Sequence, residues 1–260
     1  MNATSFRKIV WAYYKKYGRH ALPWRKTHSL YRVLVSEVML QQTQVERVIP
    51  FYTKFVKQFP TATKLAAAPL PDVLKSWQGL GYNRRAKMLH QAAKELGSRK
   101  IIAVPELESL PGVGPYTARA VAAFAYNQDV IFIETNIRTA IIHHFFNNDR
   151  NTIIYDSVSD SQIEKILTQA LPKGRAREWY SALMDYGAHL KRSGISHNAR
   201  SRGYMKQSKF AGSLREARGA IVRESTKRIT SHARLLNLLG PSRREQMKKA
   251  FGALRAEGLI

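Results

Sequence analysis

Hydrophobic residues recur along most of this chain at the spacing of amphipathic α-helices. Residues 6–14 place Phe6, Ile9, Val10, Tyr13 and Tyr14 on one face of an N-terminal helix. The same pattern predicts further helices over 31–46, 47–58, 71–78, 83–97, 105–110, 116–126, 136–146, 160–170 and 177–190. The run 130–133 has the composition of a strand, but no other run offers a partner strand, so we interpret it as a buried connector. The pattern therefore predicts an all-α fold.

The composition changes after Lys191, where Ser, Gly, Asn and Arg dominate residues 191–213. Residues 191–260 hold 17 Lys and Arg against 4 Asp and Glu, a balance of +13. Helical spacing returns over 214–224, 229–239 and 242–260, and the last segment ends at Gly258 like the recognition helix of a winged-helix unit. We expect a basic helical module that binds DNA, with a small bundle packed on the main domain as the alternative.

Charge points to the partner of this chain. Its 260 residues include 43 Lys and Arg and 18 Asp and Glu, a formal net charge of +25, which favours a polyanion such as DNA. A hydrophobic fraction of 44% argues against a disordered basic tail. The absence of cysteine excludes disulfides, thiolate zinc sites and iron–sulfur clusters. We find no signal peptide or membrane span, and expect a cytoplasmic, nucleoid-associated monomer that does not bind a membrane.

The segment LPGVGPYTA, residues 110–118, predicts a glycine hairpin that opens onto a helix. Glycines allow close approach of backbone N–H groups to a ligand, and a helix start adds unpaired N–H groups and a positive dipole end. In a basic chain the matching anion is a DNA phosphate. The candidate contacts are Gly112, Val113, Gly114 and Thr117. The alternative is an ordinary turn between two helices.

Four motifs occur in order along the chain: LPWR at 22–25, SEVMLQQTQV at 36–45, GLGY at 79–82 and the hairpin. Together they resemble the MutY-like adenine DNA glycosylases of the helix-hairpin-helix (endonuclease III) superfamily. The resemblance covers residues 6–190 and implies two helical lobes with DNA between them. One lobe is formed by residues 28–128, the other by 1–27 plus 129–190, and 191–260 form the accessory module.

The resemblance implies two catalytic carboxylates. Glu37 lies in the apolar stretch VLVSEVML, where desolvation would raise its pKa and keep a proton available for the departing purine. The alternative is a glutamate on a helix surface. Glu134 stands where the family has Asp, in Glu134-Thr135-Asn136 instead of Asp-Gly-Asn, and would stabilise the oxocarbenium-like sugar. Its extra methylene implies a shifted backbone or altered activity, and Asp129 is a less suitable substitute because it lies five residues out of register.

Further site residues follow from the same resemblance. Tyr116, where related lyases have Lys, implies a monofunctional glycosylase that stops at an abasic site; it could equally be a plain aromatic at a helix start. Asn136 would order the carboxylate network. Strand opening and opposite-base contact fall to Gln42, Thr43 and Tyr82, with Arg84 beside them, although Asn83 stands where the family has a second aromatic residue. The base pocket would be shaped by Trp24, Arg25 and Leu40, with a core role as the alternative for Trp24.

Two departures from the family limit what the resemblance implies. The four cysteines that hold the family's iron–sulfur cluster are missing, and we expect no equivalent of the long C-terminal domain with which the family checks for 8-oxoguanine. A monovalent cation, Na⁺ or K⁺, at the carbonyls of Leu110 and Val113 is the one bound ion expected. The predicted partner is double-stranded DNA with a mismatch or lesion, and the predicted reaction is hydrolysis that releases adenine opposite guanine or 8-oxoguanine. Two alternatives are release of another base, such as thymine or uracil opposite guanine or a damaged purine, and non-catalytic binding of distorted DNA.

Overall fold

The structure is a computed structural model, and it describes residues 1–97, 103–146, 158–195, 209–227 and 230–260. Within these ranges every regular element is a helix and no strand occurs, which confirms the all-α prediction. No helix in the described ranges is long and apolar enough to cross a membrane. The α-helices are, in chain order, α1 (Ala3–Tyr17), α2 (Leu30–Leu40), α3 (Val45–Gln58), α4 (Ala62–Ala67), α5 (Leu70–Trp77), α6 (Arg84–Leu96), α7 (Val104–Glu108), α8 (Pro115–Tyr126), α9 (Thr135–Phe145), α10 (Asp160–Ala170), α11 (Ala176–Arg192), α12 (Leu214–Ser225), α13 (His232–Leu236) and α14 (Arg244–Ala256).

The chain divides into two compact units. The first comprises Met1–Val33, Ile102–Glu108 and Gly114–Lys206, and the second comprises Leu34–Ile101, Ser109–Val113 and Gln207–Ile260. These units assign α8 to the first unit and the C-terminal helices to the second, unlike the lobes 28–128, 1–27 plus 129–190, and 191–260. Because compact units report contacts within the chain and not independent folding, the lobe boundaries stay a prediction.

In the first unit, α11 packs against α9, α8 and α1. Its core is aromatic: the Phe132 and Tyr180 rings stack at 4.0 Å, and Phe6 meets Trp179 edge to face at 6.0 Å. The Tyr180 hydroxyl donates to the carbonyl of Val130 at 2.7 Å. The connector 130–133 is therefore held by ring packing and one side-chain hydrogen bond, and it forms no strand, as its lack of a partner predicted.

In the second unit, Phe55 and Trp77 form the core between α3 and α5, with ring centroids 5.8 Å apart. The predicted helix over 31–46 was too long, since α2 ends at Leu40 and α3 begins at Val45. The apolar spacing continues through this break, but Gln42 adopts a positive φ of 55°, which an α-helix does not contain.

The C-terminal helices belong to this second unit. Helix α14 packs against α12 and α13, and it buries Met247, Ala250 and Leu254. Arg218 on α12 holds Glu257, after α14, through hydrogen bonds of 3.0 and 2.6 Å. The regular elements of the described residues 209–227 and 230–260 are helices, as expected for a basic helical module, and no strand from which a wing could form occurs among these residues.

Candidate active site

Glu37 lies on α2 with only 6% of its surface exposed. Its neighbours Val35, Val38 and Met39 are 0 to 4% exposed, so the helix is apolar around it. The alternative of a glutamate on the helix surface is therefore wrong. An acidic side chain at this depth has little contact with bulk water.

Glu134 is the N-cap of α9. One carboxylate oxygen accepts the Asn136 backbone N–H at 2.6 Å, and the other accepts the Thr135 hydroxyl at 2.6 Å and the Asn136 side-chain amide at 3.3 Å. The carboxylate thus folds back onto its own helix start, where an anion is favoured by the dipole. The same hydrogen bonds therefore fix both the backbone of residues 134–136 and the position of the Glu134 carboxylate.

Lys191, on α11, is the charged neighbour of Glu134 that sequence reasoning missed. Burial lowers the pKa of its ammonium, and the negative charge of Glu134 partly offsets that effect. Asp129, the substitute considered from the sequence, accepts the Gly174 N–H with both oxygens, at 3.1 and 2.8 Å, and anchors a loop. These contacts favour Glu134 as the carboxylate of this region.

Gly187 brings α11 directly onto the backbone of the N-terminus of α9. A Cβ at this position would lie 2.0 Å from the carbonyl oxygen of Asn136, so only glycine fits. Two residues earlier, Asp185 is 2% exposed and accepts hydrogen bonds from Arg19 and Arg25. The segment around Asp185 therefore fixes both the start of α9 and the loop that follows α1.

Arg25 and Trp24, predicted at the base pocket, both lie in a 3₁₀ helix, Pro23–Lys26. The Arg25 guanidinium forms two hydrogen bonds with Asp185, at 2.7 and 2.9 Å, and a third with the Ser181 carbonyl at 3.2 Å. This structural role was not foreseen from the sequence. Trp24 is 9% exposed, and its burial suits the core role that was the alternative.

Arg85 joins two loops of the second unit that carry predicted DNA contacts. Its Nη1 donates to the carbonyls of Val38 at 2.8 Å and Gln41 at 2.5 Å, and its Nη2 donates to Thr43 Oγ1 at 3.2 Å. Nη2 also reaches the Gly81 carbonyl, at 3.3 Å. Burial lowers the pKa of Arg85 to about 10, which leaves it charged at neutral pH.

The two loops that Arg85 joins each contain a residue with positive φ that is not glycine. These are Gln42 at 55° and Tyr82 at 50°, two of the three such residues in the described ranges. Such backbone costs energy and persists only where surrounding contacts enforce it, and it concentrates at functional sites. Gln42, Thr43, Tyr82 and Arg84 all line one cleft, together with Gly112 of the hairpin.

The hairpin turn is closed by Val113 N–H, which donates to the Leu110 carbonyl at 3.0 Å. Gly112 has a φ of +76° and packs against Met88; a Cβ added at Gly112 would lie 2.6 Å from the Cβ of Met88. Val113 and Thr117 are 5 and 3% exposed, so any ligand contact there comes from their backbone. The Leu110 carbonyl keeps a second lone pair, which suits the expected monovalent cation.

Tyr116 stands in the first turn of α8 and meets Phe132 edge to face at 5.7 Å. Leu40 is the last residue of α2, at the point where the loop of Gln42 starts. Within the described residues no group of three or more His, Cys, Asp or Glu could hold a metal ion. Since the chain has no cysteine, its residues do not fit an iron–sulfur cluster.

A buried glutamate on an apolar helix, a glycine hairpin before a helix and strong positive charge define a helical protein that acts on DNA. Residues 35–172 match the family described as HhH-GPD superfamily base excision DNA repair protein. The chain belongs to this superfamily.

Relatives and solved structures agree with the family. The chain is 35% identical to an adenine DNA glycosylase of Mycolicibacterium smegmatis over 94% of its own length and 89% of that protein. It is 45% identical to one from Mycobacterium tuberculosis over 50% of this chain, which spans 44% of that relative. It shares its fold with a thermostable thymine-DNA glycosylase, with a TM-score of 0.61 and 24% identity over 72% of this chain and 86% of that one. An endonuclease III–DNA complex matches with a TM-score of 0.55 and 18% identity, over 73% of this chain and 86% of that one.

Proposed function

We propose that this protein is a DNA glycosylase that removes mispaired adenine, opposite guanine or 8-oxoguanine, and that leaves an abasic site. The observation that carries the proposal is Glu37, a carboxylic acid 6% exposed within an apolar helix and inside the motif SEVMLQQTQV. The likeness to adenine DNA glycosylases over nearly the whole chain supports the choice of base.

In the proposed reaction, the adenine leaves the helical stack and Glu37 donates a proton to a purine ring nitrogen. The bond between C1′ and the base then breaks, and the electron pair of that bond stays with the protonated base. Water adds to C1′ and gives its proton back to the Glu37 carboxylate. Free adenine and an abasic deoxyribose are the products, so atoms and charge balance.

Glu134 stabilises the positive charge that develops on the sugar. Its contacts with Thr135 and Asn136 support this role, because they hold the carboxylate in one place before DNA binds. Tyr116 and Asn136 order the same region. The resemblance also assigns Trp24, Arg25 and Leu40 to recognition of the base; Arg25 is positioned by its contact with Asp185, and the burial of Trp24 suits a core role equally well.

DNA is held by the hairpin residues Gly112, Val113, Gly114 and Thr117 through backbone N–H groups, with a monovalent cation at Leu110 and Val113. Gln42, Thr43, Tyr82 and Arg84 enter the duplex or contact the opposite base. The substrate is a duplex with a mismatch or lesion, the protein acts as a monomer, and it works in the cytoplasm beside the nucleoid.

The test is single-turnover base release from duplexes that contain A:8-oxoguanine, A:G, A:C, T:G, U:G or hypoxanthine:T. We expect adenine release, with strand cleavage only after alkali. Glu37→Gln is expected to lose release at least about 100-fold, the usual value of a general acid, while DNA binding stays. The control is Glu46→Gln, which changes an exposed glutamate nine residues away and is expected to act like the native protein.

Other outcomes identify the alternatives. Release of another base assigns the activity to that lesion, and silence on all six duplexes with tight binding shows a non-catalytic binder of distorted DNA. Strand cleavage before alkali, with borohydride trapping that Lys191→Gln removes, shows a lyase that uses the ammonium near Glu134. Equal loss in the Glu37 and Glu46 variants contradicts the proposed acid.

A further inference from the structure

Helix α12, Phe210 and the loops of Gln42 and Tyr82 line a cleft of about 1030 Å³ within the second unit. One wall is formed by the loops 41–44 and 78–85 and by the hairpin, and the other by Phe210 and α12. The volume far exceeds that of one nucleotide, so a nucleotide with its flanking phosphates fits. The resemblance covers only residues 6–190, and DNA binding was predicted for residues 191–260 as a whole, so no individual site residue has been assigned on α12 or at Phe210.

The two walls are fixed to each other by side chains. Arg215 on α12 donates to the Tyr82 hydroxyl at 3.1 Å, and its guanidinium lies 5.7 Å from the centre of the Tyr82 ring. The Gln78 side chain donates to the Thr226 hydroxyl, and Lys87 donates to the Glu257 carbonyl. The C-terminal module therefore packs beside Tyr82, and side-chain hydrogen bonds hold the two walls of the cleft in place.

The lining of the cleft carries one sign of charge. Six arginines line it, on α3, on α6 and on α12, and no Asp or Glu does. Arg218 is neutralised by Glu257, and Arg85 is used by the two loops. Arg47, Arg84 and Arg223 form no salt bridge with any residue in the described ranges, although Arg47 donates a hydrogen bond to the Gly79 carbonyl. An uncompensated arginine groove is the electrostatic setting for a phosphodiester backbone.

One aromatic side chain in the cleft, Phe210, is exposed to solvent. Phe210 is 58% exposed, while the large hydrophobic side chains of this unit are otherwise buried or partly buried in the described ranges. Its carbonyl accepts both the backbone N–H and the hydroxyl of Ser213, at 3.1 and 2.6 Å, so its backbone is fixed. An exposed ring beside arginines is a stacking platform for a nucleic acid base.

We propose that this cleft binds one nucleotide of the strand opposite the target adenine, with its base stacked on Phe210 and its phosphates on Arg84 and Arg223. The proposal rests on the proposed function for the choice of strand, since Gln42 and Tyr82 are the predicted opposite-base residues. The C-terminal module then serves as a second wall of the opposite-strand site, positioned through Arg215 on Tyr82.

The test uses the full chain and a duplex with 5-iodouracil opposite a tetrahydrofuran abasic analogue, which needs no base release. Irradiation is expected to crosslink the 5-iodouracil to the peptide of Phe210. Phe210→Ala is expected to weaken binding of this duplex about 5-fold or more, because a stacked base is worth that much. The matched control is Tyr17→Ala, which removes a ring that is 56% exposed but lies outside the cleft.

Arg223→Gln is expected to lower the slope of log Kd against log salt by about 0.7 to 0.9, the value of one phosphate contact. Crosslinks that map outside the cleft, or equal effects of Phe210→Ala and Tyr17→Ala, overturn the proposal. Crosslinking at Phe210 without any base release leaves the cleft in place and refutes the activity. Base release with no Phe210 crosslink refutes the cleft alone. Circular dichroism checks that each variant is folded.

Discussion

The buried ion pair at Asp185 gives a test of how the first unit is held together. The carboxylate side chain is 1% exposed and accepts from Arg19 Nε at 2.6 Å, from the Arg19 backbone N–H at 2.7 Å and from Arg25 at 2.7 and 2.9 Å. Asp185→Asn keeps the size of the side chain but removes its charge. Two guanidinium groups are then left without their anion.

The expected cost follows from the burial of the three side chains. Breaking a buried pair by removing one partner costs about 3 to 5 kcal/mol. The Arg19 side chain is 27% exposed and that of Arg25 is 12% exposed, so water compensates in part and the lower value of about 3 kcal/mol applies. At this chain length each kcal/mol shifts Tm by about 2 to 4 °C, so Tm is expected to fall by about 6 to 12 °C.

The assay is thermal unfolding followed by circular dichroism, with Asp160→Asn as the matched control. Asp160 pairs with Arg138 at the same 2.6 Å, but its side chain is 67% exposed. A surface pair of this kind is worth about 0 to 1 kcal/mol, so Tm is expected to fall by less than about 4 °C. Equal shifts in the two variants would refute the reasoning, because Asp185 is buried and held by two arginines whereas Asp160 is exposed and pairs with Arg138.

Three further predictions follow. Gly187→Ala places a Cβ 2.0 Å from the Asn136 carbonyl oxygen and is expected to lower both Tm and base release. The control Gly252→Ala, which has open space around it in α14, is expected to raise Tm slightly. Thermal unfolding measures both variants, and equal shifts in Tm contradict the close approach of α11 to Asn136. Arg85→Lys is expected to weaken binding to mismatched duplex about 10-fold with little change in Tm, because one ammonium cannot donate hydrogen bonds to both loops. The control is Arg244→Lys, which changes an exposed residue of α14. Equal binding by the two variants contradicts this role of Arg85. Burial raises the pKa of Asp185, but hydrogen bonds and charges of Arg25 and Arg19 outweigh this effect and leave the pKa below 3.8. The stabilisation by this carboxylate is therefore present above pH 3.8 and lost as pH falls below it. The difference in Tm between the native protein and Asp185→Asn is expected to narrow over this range, and a constant difference contradicts the linkage.

Much of the fold was determined by the sequence alone, because periodic apolar positions specify amphipathic helices without reference to distant residues. The predicted helices over 47–58, 83–97, 116–126 and 160–170 agree with α3, α6, α8 and α10 to within two residues at each end. The connector 130–133 was also predicted, since a strand needs a partner and the chain offers none. The family motifs, read in order, identified the superfamily, while the catalytic role that they imply for Glu37 stays a prediction.

Other features depend on contacts between residues far apart in the chain, which spacing does not encode. The end of α2 at Leu40 is one case, because the apolar pattern continues past this residue. The helix end is set instead by Arg85, 45 residues later, which donates hydrogen bonds to the carbonyls of Val38 and Gln41. The role of Arg25 is another, since its partner Asp185 is 160 residues away. The sequence by itself determined the helices, the charge and the acidic residues. Only the tertiary structure decided which arginines form salt bridges and which arginines of the cleft beside Tyr82 form none within the described residues, because ion pairing depends on distance and burial.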